Sequence, residues 1–210
     1  MAISIFYHPQ SKLLTVIAGY ESGHAAISQL ISSTWKPLYL TQAHKQPILS
    51  LDVPPSKDFF LTSSADAIIA KHPIPISADN GISADENMPL KTLQTKHAGQ
   101  QSLQIRNDGK IFATAGWDSK ARVYSAKGMK ELAVLKWHKE GCYATTFAEV
   151  ASENEKLDEA QDVGNADEGK EVIRRVTTMT VKEERIWKAK NAHWLVAGSK
   201  DGKVSLWDIY

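Results

Sequence analysis

The stretch WLVAGSKDGKVSLWDIY, Trp194 to Tyr210, decides the fold. Two amphipathic runs, WLVAGS and KVSLWDI, flank the polar tetrad KDGK, with Asp201-Gly202 at its centre. Asp-Gly between alternating apolar runs is the strongest short-range signal for a β-hairpin. A hairpin needs a sheet around it, and upstream stretches repeat the pattern. FATAGWDSKARVYS (Phe112 to Ser125) aligns with LVAGSKDGKVSLWD (Leu195 to Asp208), setting Asp118 opposite Asp201 and Tyr124 opposite Trp207. FLTSSADAIIAKHP (Phe60 to Pro73) fits the same frame, with Asp66 in the turn and His72 at the aromatic position. VIAGYESGHAAISQ (Val16 to Gln29) is the weakest copy, with Ser22 in the Asp position and Gly23 after it.

A histidine recurs ahead of each turn. His44 precedes Asp66 by 22 residues and His97 precedes Asp118 by 21, whereas His138 precedes Asp201 by 63. The last unit therefore carries about 42 extra residues. Short apolar runs on either side of each histidine complete units of four short strands. Strand a is expected at 3–7, 48–53, 101–106 and 142–148, and strand b at 13–19, 58–64, 111–116 and 193–198. Strand c is expected at 24–30, 67–72, 119–125 and 203–209, and strand d at 36–42, 90–95 and 131–136, with no fourth copy. The expected class is all-β, in four units of about 1–43, 44–96, 97–137 and 138–210.

The bulk numbers narrow the function classes. The 210 residues are 42% hydrophobic, enough for one sizeable core or two small ones. Lys and Arg number 25 against 24 Asp and Glu, so no global charge points to nucleic acid or a membrane surface as partner. A single cysteine, Cys142, rules out an internal disulfide framework and fits a reducing compartment. There is no run of eighteen apolar residues, and the N-terminus lacks a basic region followed by an apolar one. A soluble intracellular protein is the expectation.

A spaced His, then Asp-Gly or Asp-Ser, then an aromatic-Asp end of strand c resembles the WD40 repeat of β-propellers. The resemblance covers the chain apart from two inserts, and GSKDGKVSLWD is its most specific copy. It implies a buried hydrogen-bonded network in each blade, built from the His, a Ser/Thr of strand b, the turn Asp and the strand-c Trp. Carried over by position, this is His44, Thr62 and Asp66, with His72 a departure. It is likewise His97, Thr114 and Asp118, with Tyr124 in place of Trp. In the last blade His138, Asp201 and Trp207 match, but Ala197 stands where the hydroxyl belongs, so that network is expected to be incomplete. Such histidines are architectural: a desolvated turn carboxylate needs donors, and the preceding loop supplies one.

A fourth blade that ends on strand c wants a strand d from an N-terminal segment, yet this chain opens directly on strand a, ISIFY. WD40 rings usually have seven blades, so the expectation is the C-terminal part of a longer propeller, an open arc with exposed edges.

Pro73 to Pro89, PIPISADNGISADENMP, has loop composition. Glu149 to Glu171 holds nine acidic residues and two lysines and is expected to be disordered. The insert, 149–191 in all, then turns basic with Arg174, Arg175, Lys182, Arg185, Lys188 and Lys190. It is either a solvated insertion or a docking tail; VTTMTV (Val176 to Val181) suits a short strand and EERIWKAK a helical turn.

Chemistry is hard to find. GSKDGK has three residues between its glycines and Val204 after the lysine, so it does not make a phosphate-binding loop. No G-x-S-x-G elbow, H-E-x-x-H pair or C-x-x-C pair occurs. Cys142 reads as a small core residue, and KWHKEG as a loop. No catalytic, cofactor or metal residue is assigned. Trp117, beside the turn Asp118, is either a partner contact on the ring's face or a cap on its own blade.

QPILSLDV…FFLTSSADAIIAKHPI, KHAGQQSLQIRNDGKIFATAGWDSKARVYS…KELAVLKWHKEG and HWLVAGSKDGKVSLWDIY together resemble the fungal ASTRA-associated WD-repeat subunits. These are in turn similar to the guanine nucleotide-binding protein β-subunit-like proteins. The resemblance implies a nuclear scaffold, without enzymatic activity, linked to chromatin remodelling. Its implied partners are RuvB-like ATPases, kinase-stabilising factors and a phosphatidylinositol-3-kinase-related protein, with the cytoplasm as a second compartment and no direct contact with nucleic acid or membrane. The competing readings are a peptide- or histone-reading WD40 module, and a small propeller hydrolase whose nucleophile–base pair or metal cluster is not found.

Overall fold

The computed structural model describes residues 1–76, 87–97, 99–149, 180–182, 185–186 and 192–209. The middle of the first insert (77–86) and nearly all of the second lie outside these residues, as do the disorder, docking-tail and strand readings made there. Within the basic part, Val181–Lys182 and Arg185–Ile186 have helical conformation.

Among the described residues fifteen strands form four antiparallel sheets. The first holds β1 (Ala2–Tyr7), β2 (Leu14–Gly19), β3 (His24–Ile31) and β4 (Thr34–Gln42). The second holds β5 (Ile48–Asp52), β6 (Phe59–Ser64), β7 (Ile68–Pro73) and β8 (Lys91–Gln94). The third holds β9 (Gln100–Ile105), β10 (Ile111–Gly116), β11 (Lys120–Ser125) and β12 (Glu131–Lys136). The last holds β13 (Cys142–Phe147), β14 (Trp194–Ser199) and β15 (Val204–Asp208), without a fourth strand among the described residues. Each sheet is a meander in chain order, as short turns between antiparallel strands require.

The sheets stack through their first strands: β1 meets β5, β5 meets β9 and β9 meets β13. That arrangement leaves the inner edge of each first strand without a ladder partner, and side chains supply one. Leu103 N–H donates to Ser50 Oγ at 3.1 Å and Ile105 N–H to Asp52 Oδ2 at 2.7 Å. One blade on, Thr145 N–H donates to Ser102 Oγ at 3.2 Å and Phe147 N–H to Gln104 Oε1 at 2.9 Å. The same i, i+2 spacing recurs because alternate residues of a strand share a face. Buried backbone donors are thereby satisfied along the channel side.

Three apolar cores fill the spaces between neighbouring blades. Ile17, Ile27, Tyr39, Ile48 and Phe60 lie between the first and second. Phe59, Leu61, Ile69, Leu103, Phe112 and Tyr124 lie between the second and third, and Ile111, Ala113, Val123, Phe147 and Leu195 between the third and fourth. Strands β6 and β10 are buried at every position, whereas β2 and β14 alternate. A sheet sandwiched on both faces reads as a continuous buried run, and a terminal one as alternation. The outward faces of the end blades stay open, with Ile3, Ile5 and Tyr7 on one side and Val204 and Leu206 on the other all more than half exposed.

Candidate functional site

The b–c turns and the d–a loops lie at one end of the blades, and the turn aspartates sit where the two meet. Two of the glycines there are needed for the approach. Gly23, at φ +81°, would place a Cβ 2.2 Å from the carbonyl oxygen of His44; Gly99, at φ +72°, would place one 2.0 Å from the Trp117 indole.

In the second blade the expected residues meet. His44 Nδ1 is 3.2 Å from Asp66 Oδ1 and its Nε2 is 2.8 Å from Thr62 Oγ1. The line continues: Thr62 Oγ1 is 2.9 Å from His72 Nε2, and His72 Nδ1 is 2.9 Å from Tyr39 Oη of the first blade. Asp66 also accepts from the backbone N–H groups of Lys45 and Ile68. A carboxylate only accepts, so His44 donates from Nδ1 and its Nε2 takes the Thr62 proton. Thr62 then accepts from His72 Nε2–H, and His72 Nδ1 accepts from the Tyr39 phenol. The relay thus runs in one direction, each hydroxyl and imidazole between Asp66 and Tyr39 donating to one neighbour and accepting from the other. Burial lowers the pKa of His44, although Asp66 opposes the shift; burial, with His44 next, lowers that of His72 to about 3. His72, the departure from Trp, stacks on Phe60 at 4.5 Å and ties two blades together.

The third blade differs from the expectation. His97 Nδ1 stands 3.8 Å from Asp118 Oδ2, outside hydrogen-bond range, and a third of its side chain is exposed. Arg122 has taken its place, with Nη1 at 3.0 Å and Nη2 at 2.5 Å from the two oxygens of Asp118. Burial acting alone would raise the Asp118 pKa, but the Arg122 hydrogen bonds and charge, helped by Lys120, bring it down to about 2. Thr114 is the register partner of Arg122, and neither its hydroxyl nor the Tyr124 phenol bonds to Asp118, whose two oxygens go to Arg122. The expected linkage of His97, Thr114, Asp118 and Tyr124 is therefore corrected to an Arg122–Asp118 pair. The reason is steric and electrostatic: a bidentate guanidinium is the stronger partner for a carboxylate and fills the volume an imidazole would use.

The fourth blade corrects the expectation in the other direction. Ser205 on strand c, the register partner of Ala197, supplies the hydroxyl missing from strand b. Its Oγ lies 2.9 Å from His138 Nε2 and accepts from Trp207 Nε1–H at 2.9 Å. His138 Nδ1 is 3.4 Å from Asp201 Oδ1, an ion-pair distance only. His72, Arg122 and Ser205 are network members that the sequence reading does not include; all three lie on strand c, and only His72 stands at a position the repeat pattern singles out.

The Trp117 ring lies over Gly99, its Nε1–H donates to Gln101 Oε1 at 2.9 Å, and 44% of the residue is exposed. One face caps the blade and the rest is open. Cys142 is buried, and burial pushes its thiol up to about 11, far from the reactive range. Among the described residues no group of three or more His, Cys, Asp or Glu is placed to hold a metal, and no helix is long and apolar enough to cross a membrane.

Residues 35–70, 87–125 and 184–208 match the WD domain, G-beta repeat. The first two matches run from strand d of one sheet through strands a to c of the next, so each sequence repeat bridges two blades. The whole chain is 51% identical to ASTRA-associated protein 1 of Verticillium alfalfae and 47% identical to that of Aspergillus niger, covering 50% and 53% of those proteins. The protein of the same name from Schizosaccharomyces japonicus is 27% identical over 99% of the chain and 47% of its own length. The chain spans about half the length of the curated relatives it matches. Blades of WD40 type, repeats of matching spacing and similarity along the whole chain agree: the chain carries WD40 repeats in sheets consistent with part of a β-propeller, and it is similar to proteins named ASTRA-associated protein 1.

Proposed function

We propose that the chain is a scaffold without enzymatic activity, part of an ASTRA assembly linked to chromatin remodelling and to the stabilisation of phosphatidylinositol-3-kinase-related kinases in the nucleus. The observation that carries this reading is the full-length similarity to proteins named for association with ASTRA. The geometry agrees with it. The polar groups that chemistry would use, His44, His72, Asp118 and His138, are committed to holding blades and turns. Stiff blades carrying short loops suit a surface that docks large partners with little loss of entropy.

The complete protein is a seven-bladed ring in this reading, of which these are four blades. Support comes from the two open apolar faces, Ile3, Ile5 and Tyr7 at one end and Val204 and Leu206 at the other, which further blades would cover. Tagging the native gene after Tyr210 and purifying from cells tests both points, with the intact mass and the co-purifying proteins as readouts. A longer chain bringing down RuvB-like ATPases and kinase-stabilising factors is expected. A chain starting at Met1 without them would overturn the reading.

A further inference from the structure

The loop face between the third and fourth blades carries a continuous strip that the hydrogen-bond networks do not use. Trp117, Tyr143 and Trp137 are 44%, 45% and 53% exposed, and the first two meet in a tight seam at Gly141. A Cβ at Gly141 would fall 3.2 Å from the Trp117 carbonyl oxygen and 3.3 Å from the Tyr143 ring. Gly141 C=O accepts from Lys200 N–H at 3.0 Å, which seats the 200–203 turn against the seam. Trp137 packs edge-on to His138 at 4.9 Å, with Lys203 Nζ 5.8 Å above its ring.

Lysines are in modest excess along this strip. Lys139, Lys200 and Lys203 are exposed, and Glu140 is the exposed acid among them. The aspartates nearby offset the lysines only in part. Asp118 is held by Arg122, and Asp201 accepts from the backbone N–H groups of Lys139 and Lys203. Residues 1–148, which build the first three blades and the start of the fourth, hold 15 Lys and Arg against 11 Asp and Glu. Rigid aromatic anchors among lysines, desolvated on one side and open on the other, are the makings of a hot spot for an acidic, apolar-tipped ligand.

We propose that this strip docks an acidic segment of a partner protein, with an apolar side chain of that segment seated against Trp117 and Tyr143 and its carboxylates facing Lys139, Lys200 and Lys203. The proposal takes from the scaffold reading only that the partner is a protein. Its test uses the purified full chain and so stands or falls separately from co-purification. The probe is a fluorescent peptide with a Leu-Phe pair set among aspartates and glutamates, compared with its Asn/Gln counterpart and with a labelled single-stranded oligonucleotide. Saturable binding of the acidic peptide is expected, weakened about tenfold by Trp117→Ala and by the pair Lys200→Glu and Lys203→Glu. Because Trp117 also covers Gly99, the lysine pair, confined to an exposed turn, decides the matter if Trp117→Ala loses its fold. Equal binding of the neutral peptide, tighter binding of the oligonucleotide, or indifference to the lysine reversals would each overturn the proposal.

Discussion

The second and third blades start from the same sequence frame and hold their turns differently. In the second, Ala70 is the register partner of Thr62, and the space above it admits His44, so a relay runs from Asp66 to Tyr39. In the third, Arg122 is the register partner of Thr114, and the guanidinium reaches the turn aspartate itself. One blade is stabilised by neutral imidazoles in series, the other by a charge pair. The lesson is that one strand-c position, alanine or arginine, decides which loop residue the turn accepts.

The sharpest way to break the comparison is to remove the histidine from each blade. His44→Ala leaves Asp66 short of a donor and Thr62 short of an acceptor in a buried site. It should cost roughly 3–4 kcal/mol, read as a lower urea midpoint at unchanged slope.

Acid should separate the blades next. His44 and His72 have folded pKa values below the ordinary 6.5, so the unfolded chain takes up protons that the folded one does not. Their stabilisation is complete above pH 6.5 and declines as pH falls below it, in the case of His72 down to about 3. Asp118, with a folded pKa of about 2 against 3.8, gives up its share only below pH 3.8. Between pH 7 and 5, hydrogen exchange should therefore show Leu61 and Ile69 amides losing protection while those of Ala113 and Val123 keep theirs. The expected loss in that window is on the order of 2 kcal/mol. Uniform loss across both blades would break the distinction.

Arg122→Ala, which gives the third blade the residue the second uses, should cost about 2 kcal/mol. It should also let His97 move towards Asp118. A double-mutant cycle with His97→Ala then measures a coupling of about 1 kcal/mol that is absent when Arg122 is present. Ser205→Ala, which takes the shared hydroxyl from His138 and Trp207, should cost about 1 kcal/mol. Smallest of all, His97→Ala alone should shift stability by no more than about 0.5 kcal/mol, since its imidazole is partly exposed and lies beyond hydrogen-bond range.

Much of the architecture was legible in the sequence because it is local. The hairpin at Asp201-Gly202, the runs FFLTSS and IFATAG, and the spacing of His44 to Asp66 placed the strands within a residue or two of β1 to β15. The candidate site was legible in part. His44, Thr62 and Asp66 can be paired by position, but His72 reads only as a departure from the repeat, and Arg122 has no place in a repeat template. Ser205 was hidden for another reason: a strand-b residue and its strand-c partner are equivalent only once the register Ala197 to Ser205 is known.

The sequence by itself determined what depends on neighbours along the chain: strand periodicity, turn chemistry and repeat spacing. The tertiary structure decided what depends on volume and competition across strands. Whether an aspartate takes an imidazole or a guanidinium is settled by which side chain fits the space between two sheets. Which blade faces are buried on both sides is settled by what stacks beside them, a property that no single repeat encodes.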